Sequence, residues 1–165
     1  MKKPIFLYLM LCSFTLVYAQ TKKADSLKAV LQHTKNDIDK AQTLNALADE
    51  YKTIDPKPMR EYATQALALS QKIQYKIAEG NAQLNLGNAA IILGNYTQAL
   101  QHFVSAQNIF ENETQTNPKD KISVQRGLAK AYGSIGIVFA EQSNYAKGLQ
   151  YHLKSVKIYR SEEHT

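Results

Sequence analysis

The chain has 165 residues, 44% hydrophobic and 9% aromatic, which leaves room for one modest domain with a real core. Seven glycines and four prolines are too few for a low-complexity chain. The 20 Lys and Arg outnumber the 14 Asp and Glu only mildly and are dispersed, which excludes the clustered basic face that nucleic-acid binding requires.

Residues 1–19, MKKPIFLYLMLCSFTLVYA, combine two lysines, an apolar run from Ile5 to Val17, and Val17 and Ala19 at the positions a signal peptidase reads. A cleaved secretory leader is expected, with the mature chain starting at Gln20. The apolar run is shorter than the ~20 residues of a spanning helix. Cys12, the only cysteine, lies inside it and follows Leu11, whereas a lipoprotein signal places a small residue there. The mature chain is therefore expected to have no thiol, no disulfide and no Cys-ligated metal.

From Asp25 onward apolar residues fall at helical spacing, and no strand-like alternation is sustained. Leu27, Val30 and Leu31 mark a short helical lead-in over 20–36. Ala41, Leu44, Leu47, Ala48 and Tyr51 form a second stripe, which stops at Pro56 and Pro58, residues suited to a helix start. A third runs through Met59, Ala63, Ala66, Leu67, Ser70 and Ile73. The fourth carries Ala82, Leu86, Gly87, Ala90 and Leu93 and ends at Gly94 and Asn95, a stop followed by an N-cap with Gln98 placed for a capping box. Ala99, Leu100, Phe103, Ala106, Ile109 and Phe110 continue the next helix. The polar segment 112–120, with Pro118, reads as a connector. A further helix runs from Ile122 through Leu128, Ala131, Tyr132, Ile135, Gly136 and Phe139 to a break at Ser143 and Asn144. Leu149, Leu153, Val156 and Ile158 mark a last helix, expected to stop at Tyr159.

The stretch GNAAIILGNYTQAL at 87–100 is echoed by GIVFAEQSNYAKGL at 136–149, with Gly, Asn-Tyr, a small residue and Leu in the same relative places. These helix pairs resemble tetratricopeptide (TPR) repeats. In the middle unit the family's signature places hold Leu86, Gly87, Tyr96, Ala99, Phe103 and Ala106. The third unit keeps Gly136 and Tyr145 but has Gly148, His152 and Ser155 where the middle one has Ala99, Phe103 and Ala106, and Gly148 is expected to weaken its second helix. The resemblance implies an all-α fold, an α-solenoid of three helix-turn-helix units preceded by a short helix. The repeat domain would span 37–159, with units at about 41–75, 80–111 and 122–159. Gly87 and Gly136 would let helices approach, and Tyr96 and Tyr145 would fill the space at the turns.

No H-E-x-x-H, G-x-S-x-G, Walker or G-x-G-x-x-G pattern is present, so no catalytic residue, metal or cofactor is expected. His33, His102, His152 and His164 stand apart from paired acids at ligand spacing. What remains is the concave face of stacked helix pairs. By the resemblance, first-helix positions two, five, nine, twelve and thirteen look into it. They nominate Gln42, Asn45 and Asp49, then Asn81, Leu84, Asn88 and Ile91, then Lys130, Gly133 and Ile137. Such a groove is mostly amide-lined with one apolar strip, and amides offer a peptide backbone both donor and acceptor. The family's clamp for a C-terminal carboxylate uses several Lys and Arg, and only Lys130 stands among these positions.

A leader, a short helix and then repeats with long second helices looks like the exported front end of bacterial TPR-containing sensor histidine kinases. That resemblance implies a protein- or peptide-binding sensor module in the periplasm or cell envelope, its membrane anchor and output domain downstream. The alternative is a freestanding exported scaffold that assembles envelope partners. The apolar stripe of the last helix is expected to be partly bare and open to self-association. The final RSEEHT, 160–165, resembles the translation of a common sequencing adapter, so a non-native tail on a truncated chain is expected.

Overall fold

The computed structural model describes residues 22–113 and 120–162. The expected leader, Cys12, Pro118 and His164 lie outside the described residues. Among the described residues seven helices follow one another: α1 (22–33), α2 (Asp37–Glu50), α3 (Pro56–Lys72), α4 (Lys76–Ile92), α5 (Tyr96–Glu113), α6 (Lys121–Glu141) and α7 (Tyr145–Glu162), with a 3₁₀ turn at Tyr51–Thr53 between α2 and α3. No strand occurs among the described residues. From α2 onward each helix packs on the next, and α4 also touches both α2 and α6. This makes two layers, α2–α4–α6 inside and α3–α5–α7 outside, which is an α-solenoid.

Local chemistry sets the helix starts. The Asn36 side-chain oxygen accepts from the backbone N–H groups of Ile38 (2.8 Å) and Asp39 (3.4 Å), with Asp37 and Asp39 in the first turn favoured by the helix dipole. Asp55 caps α3 by accepting from the Lys57 N–H at 2.9 Å, ahead of Pro56 at the first helical position. Asn95 Oδ1 accepts from the Gln98 N–H at 3.2 Å, and the reciprocal contact runs between the side chains, Asn95 Nδ2 donating to Gln98 Oε1 at 3.1 Å.

Three turns share one geometry. The N–H groups of Tyr75, Asn95 and Asn144 reach back five residues to the carbonyls of Ser70, Ala90 and Phe139 at 2.9, 2.8 and 2.8 Å. In each, the preceding residue is left-handed: Gln74 (φ 56°), Gly94 (φ 74°) and Ser143 (φ 61°). Only Gly94 advertises this in the sequence. At the other two positions the captured carbonyls offset the strain of a side chain at positive φ.

Small residues let the layers meet around large ones. Ala99, Phe103, Ala106 and Phe110 form the fully buried face of α5. A Cβ on Gly87 would run into the Phe103 ring, and one on Gly80 would fall 2.5 Å from Phe110. Gly127 of α6 meets the same Phe110 ring from the other side. Leu86 and Ala89 pack with Ala48, Met59 and Ala63 in a separate cluster where α2, α3 and α4 meet.

Three sequence expectations are corrected. Tyr96 does fill space, half-buried on the α4–α6 core, but its counterpart Tyr145 is 70% exposed. The Tyr96 hydroxyl lies 3.5 Å from Glu141 of α6, whereas no helix follows α7 among the described residues to cover Tyr145. α7 runs to Glu162 instead of stopping at Tyr159, since Arg160, Ser161 and Glu162 contain nothing that breaks a helix. Gly148 is not merely a weak point. It is buried where the α6 and α7 backbones cross, and Cβ atoms on Gly136 or Gly148 would each lie 3.0 Å from the other residue's carbonyl oxygen.

The exposed stripe on α7 agrees with its expected exposure: Leu149 and Leu153 are 60% and 59% exposed and Val156 42%. Ile158 is half-buried against the main core.

Candidate groove on the concave face

α2, α4 and α6 line an open cavity of about 590 Å³, to which α7 adds Ser155 and Tyr159. The helical repeat brings its walls together. Positions 81, 85 and 88 of α4 lie one and two turns apart on one face, and Lys130, Gly133 and Ile137 repeat the pattern on α6. From residue 80 to residue 110 the chain has no Asp, Glu, Lys or Arg, so the floor contributed by α4 is uncharged.

Of the candidates nominated from the sequence, Gln42, Asn45 and Asp49 line the α2 side, Asn81, Leu84 and Asn88 the floor, and Lys130, Gly133 and Ile137 the α6 side. They are not equivalent. Leu84 is 5% and Asn45 8% exposed, so both belong to the floor itself, while Ile137 is 45% exposed and forms the apolar strip. Ile91 is not among the lining residues; it packs against the core shared with α5 and α6. One turn beyond Asn88, it turns away from the groove.

Sequence reasoning missed Asn85, Tyr75 and Ser155. Asn85 sits four residues after Asn81 and three before Asn88, the spacing that shares a helix face, and that spacing could have found it. It is 6% exposed. Its Nδ2 donates to Asn45 O at 3.1 Å and Asn45 Oδ1 at 3.3 Å, and Asn45 Nδ2 in turn donates to Ala78 O at 2.9 Å. Tyr75 places its hydroxyl to accept from Gln42 Nε2 at 3.1 Å. Ser155 is buried at 8% exposure and donates to Ala129 O at 2.8 Å, so its hydroxyl ties α7 to α6 where an alanine could not. No sequence signal marks that pairing.

Lys52 and Lys130 line the cavity with no ion pair among the described residues, and Asp49 is the single acid in its lining. The described residues hold no group of three His, Cys, Asp or Glu that could bind a metal ion. None of their helices is long and apolar enough to cross a membrane.

Outside the groove, His102 of α5 is half-buried and its Nδ1 lies 2.7 Å from Gln83 Oε1 on α4. That oxygen only accepts, so Nδ1 carries the proton. Burial pushes the His102 pKa below the ordinary value of 6.5. A group depressed in the folded state favours folding above its unfolded pKa and loses that contribution as pH falls through the folded value. Stability is therefore expected to drop as pH is lowered below ~6.5, and His102→Gln to flatten that part of the profile. Denaturant melts of both proteins between pH 7.5 and 5.5 measure it, and parallel profiles would contradict it.

The fold is that of known TPR structures. The TPR domain of Arabidopsis FLU superposes with a TM-score of 0.62 at 16% identity, covering 76% of this chain and 99% of that domain. The apo form of RapI superposes with a TM-score of 0.66 at 18% identity, covering 90% of this chain. The chain spans 40% of RapI. No protein-family model and no curated sequence matches the chain.

Proposed function

We propose that the chain is a peptide- or protein-binding repeat module whose ligand is an extended segment lying along α2, α4 and α6. The observation that carries this reading is the groove: about 590 Å³, floored by uncharged amides on α4 and edged by the exposed Ile137. Amides lining a groove at one-turn intervals suit a main chain, whose donors and acceptors also recur at short, regular intervals. The TPR-like architecture of its structural neighbours agrees with such a role.

A twelve-residue displayed peptide library selected on the folded chain is expected to yield binders that Ile137→Asp weakens about tenfold, since a charge then replaces the apolar strip against a desolvated ligand. Ile137 is exposed, so the variant should melt as the parent does. Binders indifferent to Ile137 would place the interaction elsewhere.

We further propose that the module is exported and is the sensor region of a longer signal-transduction protein, a two-component sensor histidine kinase by the resemblance of its leader and repeat arrangement. Expression in a bacterial host with an alkaline phosphatase fused after Tyr159 is expected to give an active reporter and a mature N-terminus at Gln20. A reporter retained inactive with residues 1–19 attached would overturn the export. The scaffold reading is favoured by the exposed Leu149, Leu153 and Val156, which offer a second contact surface on α7.

A further inference from the structure

α7 carries an apolar face that nothing among the described residues covers. Tyr145, Leu149, Leu153, Val156 and Tyr159 are all exposed, and steps of three and four set them on one side of the helix. The 49-residue echo shows what such a face accepts. Tyr145, Leu149 and Tyr159 stand where α5 has Tyr96, Leu100 and Phe110. There Tyr96 and Leu100 are half-buried and Phe110 fully buried, with α6 packed on α5 and Gly127 set against the Phe110 ring. The face of α7 thus has the form of a seat for one helix that brings a small residue to Tyr159.

The charges of the two seats differ. α5 ends in Glu111 and Glu113, and the helix it receives begins with Lys121 and Arg126. On α7 the places of the neutral Gln98, Ser105 and Asn108 are taken by Lys147, Lys154 and Lys157, and no acid occurs between Tyr145 and Tyr159. Lys147 lies 4.2 Å from the centre of the Phe139 ring, and Lys154 5.3 Å from that of Tyr132. Lys157, one turn after Leu153 at the border of the apolar face, is exposed and has no ion pair among the described residues. The sign of the edge is reversed, so a helix with a basic start like that of α6 would be repelled here and one with an acidic start attracted.

A second copy and a bilayer are poorer occupants. The face of α7 holds large residues throughout, so a second α7 has nothing small to set on Tyr159. An antiparallel twofold pairing would also bring the two Lys157 edges to the same side. From Leu153 to Tyr159 the face turns about 120° around the helix, ending beside the cavity, and a flat bilayer would touch only part of it.

Developing the second contact surface of the scaffold reading, on which it rests, we propose that this face seats an amphipathic helix of a partner protein. That helix runs antiparallel to α7, with acids in its first two turns beside Lys157 and a glycine or alanine on the Tyr159 ring.

The test titrates two fluorescent peptides into the full chain and reads anisotropy. Both carry the α6 sequence 121–141, one unaltered and one with Lys121→Glu and Arg126→Glu. The acidic peptide is expected to bind about fivefold tighter, as a few exposed charge contacts allow, and its advantage to shrink at high salt. Lys157→Glu in the chain should cancel the preference. Leu149→Asp should abolish binding of both peptides, and Ile137→Asp should change neither, which separates this seat from the groove. These three residues are exposed, so the variants should melt as the parent does. Lys157→Glu carries the test even where Leu149→Asp fails to fold.

Equal affinities, or a preference that Lys157→Glu leaves unmoved, overturn the acidic partner; if Leu149→Asp still abolishes binding, the α7 contact surface survives. Binding that persists in folded Leu149→Asp means that the peptide displaces α6 from α5, and the seat falls. No binding by either peptide removes both the seat and the contact surface. A dimer in sedimentation, or capture by phosphatidylglycerol vesicles, that Leu149→Asp eliminates gives the face to a second copy or to a bilayer and overturns the proposal.

Discussion

Phe110→Ala is expected to lower the unfolding free energy by about 3–5 kcal/mol, the range for truncating a fully buried phenylalanine. Phe110 is 0% exposed, and its ring tip is held between Gly80 of α4 and Gly127 of α6. The cavity left by alanine cannot collapse easily, since both facing positions lack a side chain that could move in. For a domain of marginal stability this is a large fraction of the whole. The same geometry makes the converse changes harmful. Alanine at Gly80 or Gly127 drives a methyl into a ring that cannot retreat, because the opposite glycine already touches it; about 1–3 kcal/mol is expected from overpacking. Combining Gly127→Ala with Phe110→Leu should cost less than the two single effects added. Strict additivity in urea melts would mean that the ring is not pinned from both sides.

Gly136→Ala is expected to destabilise by about 2 kcal/mol, against the ordinary preference of a helix for alanine, worth ~1 kcal/mol in its favour. The sign is decided by what the new methyl meets. One neighbour is the His152 ring, with ring atoms at 2.9 and 3.0 Å, and the other is the Gly148 carbonyl oxygen at 3.0 Å. The ring can swing aside, but the carbonyl belongs to the α7 backbone and moves only if the helix does. His152→Ala in the Gly136→Ala background should therefore recover part of the loss and not all of it. Thermal melts of the single and double variants decide the matter, and complete recovery would show that only the ring was in the way.

The two glycine sites also show what a sequence discloses and what it withholds. Gly87 and Gly136 repeat in register with Asn-Tyr and Leu, and their packing role follows from periodicity because a core repeats when its units repeat. The seven helices and the Asn36, Asp55 and Asn95 caps rest on equally local signals. Gly148 looked like a defect because propensity is local, whereas the backbone crossing that explains it joins α6 to α7. Tyr145 looked like Tyr96 because the residues match, and differs because burial depends on which helix comes next.

For the groove, the repeat pattern implied by the TPR resemblance was enough to name Asn81, Asn88, Lys130 and Ile137, all of which line one cavity. It could not rank them by depth, so Leu84 and Asn45 stood beside Ile137 as equals, and Ile91 was included although it packs into the core. Asn85 shares a helix face with Asn81 and Asn88, so spacing alone could have named it, but its hydrogen bonds reaching residues 45 and 78 are a relation no single-helix pattern contains.

The uncharged run from 80 to 110 has a consequence for how strongly the medium can influence this molecule. Dissolved salt screens attraction between ions over a Debye length of roughly 8 Å at physiological ionic strength and leaves contacts between neutral dipoles nearly untouched. A partner held on the α4 floor is therefore held with similar strength in dilute and in concentrated surroundings, while contacts to Lys52, Asp49 or Lys130 at the rim fade as ionic strength rises. Under the peptide-binding proposal, the neutral floor would give the central repeat a constant grip among changing electrolytes and confine variation to its edges.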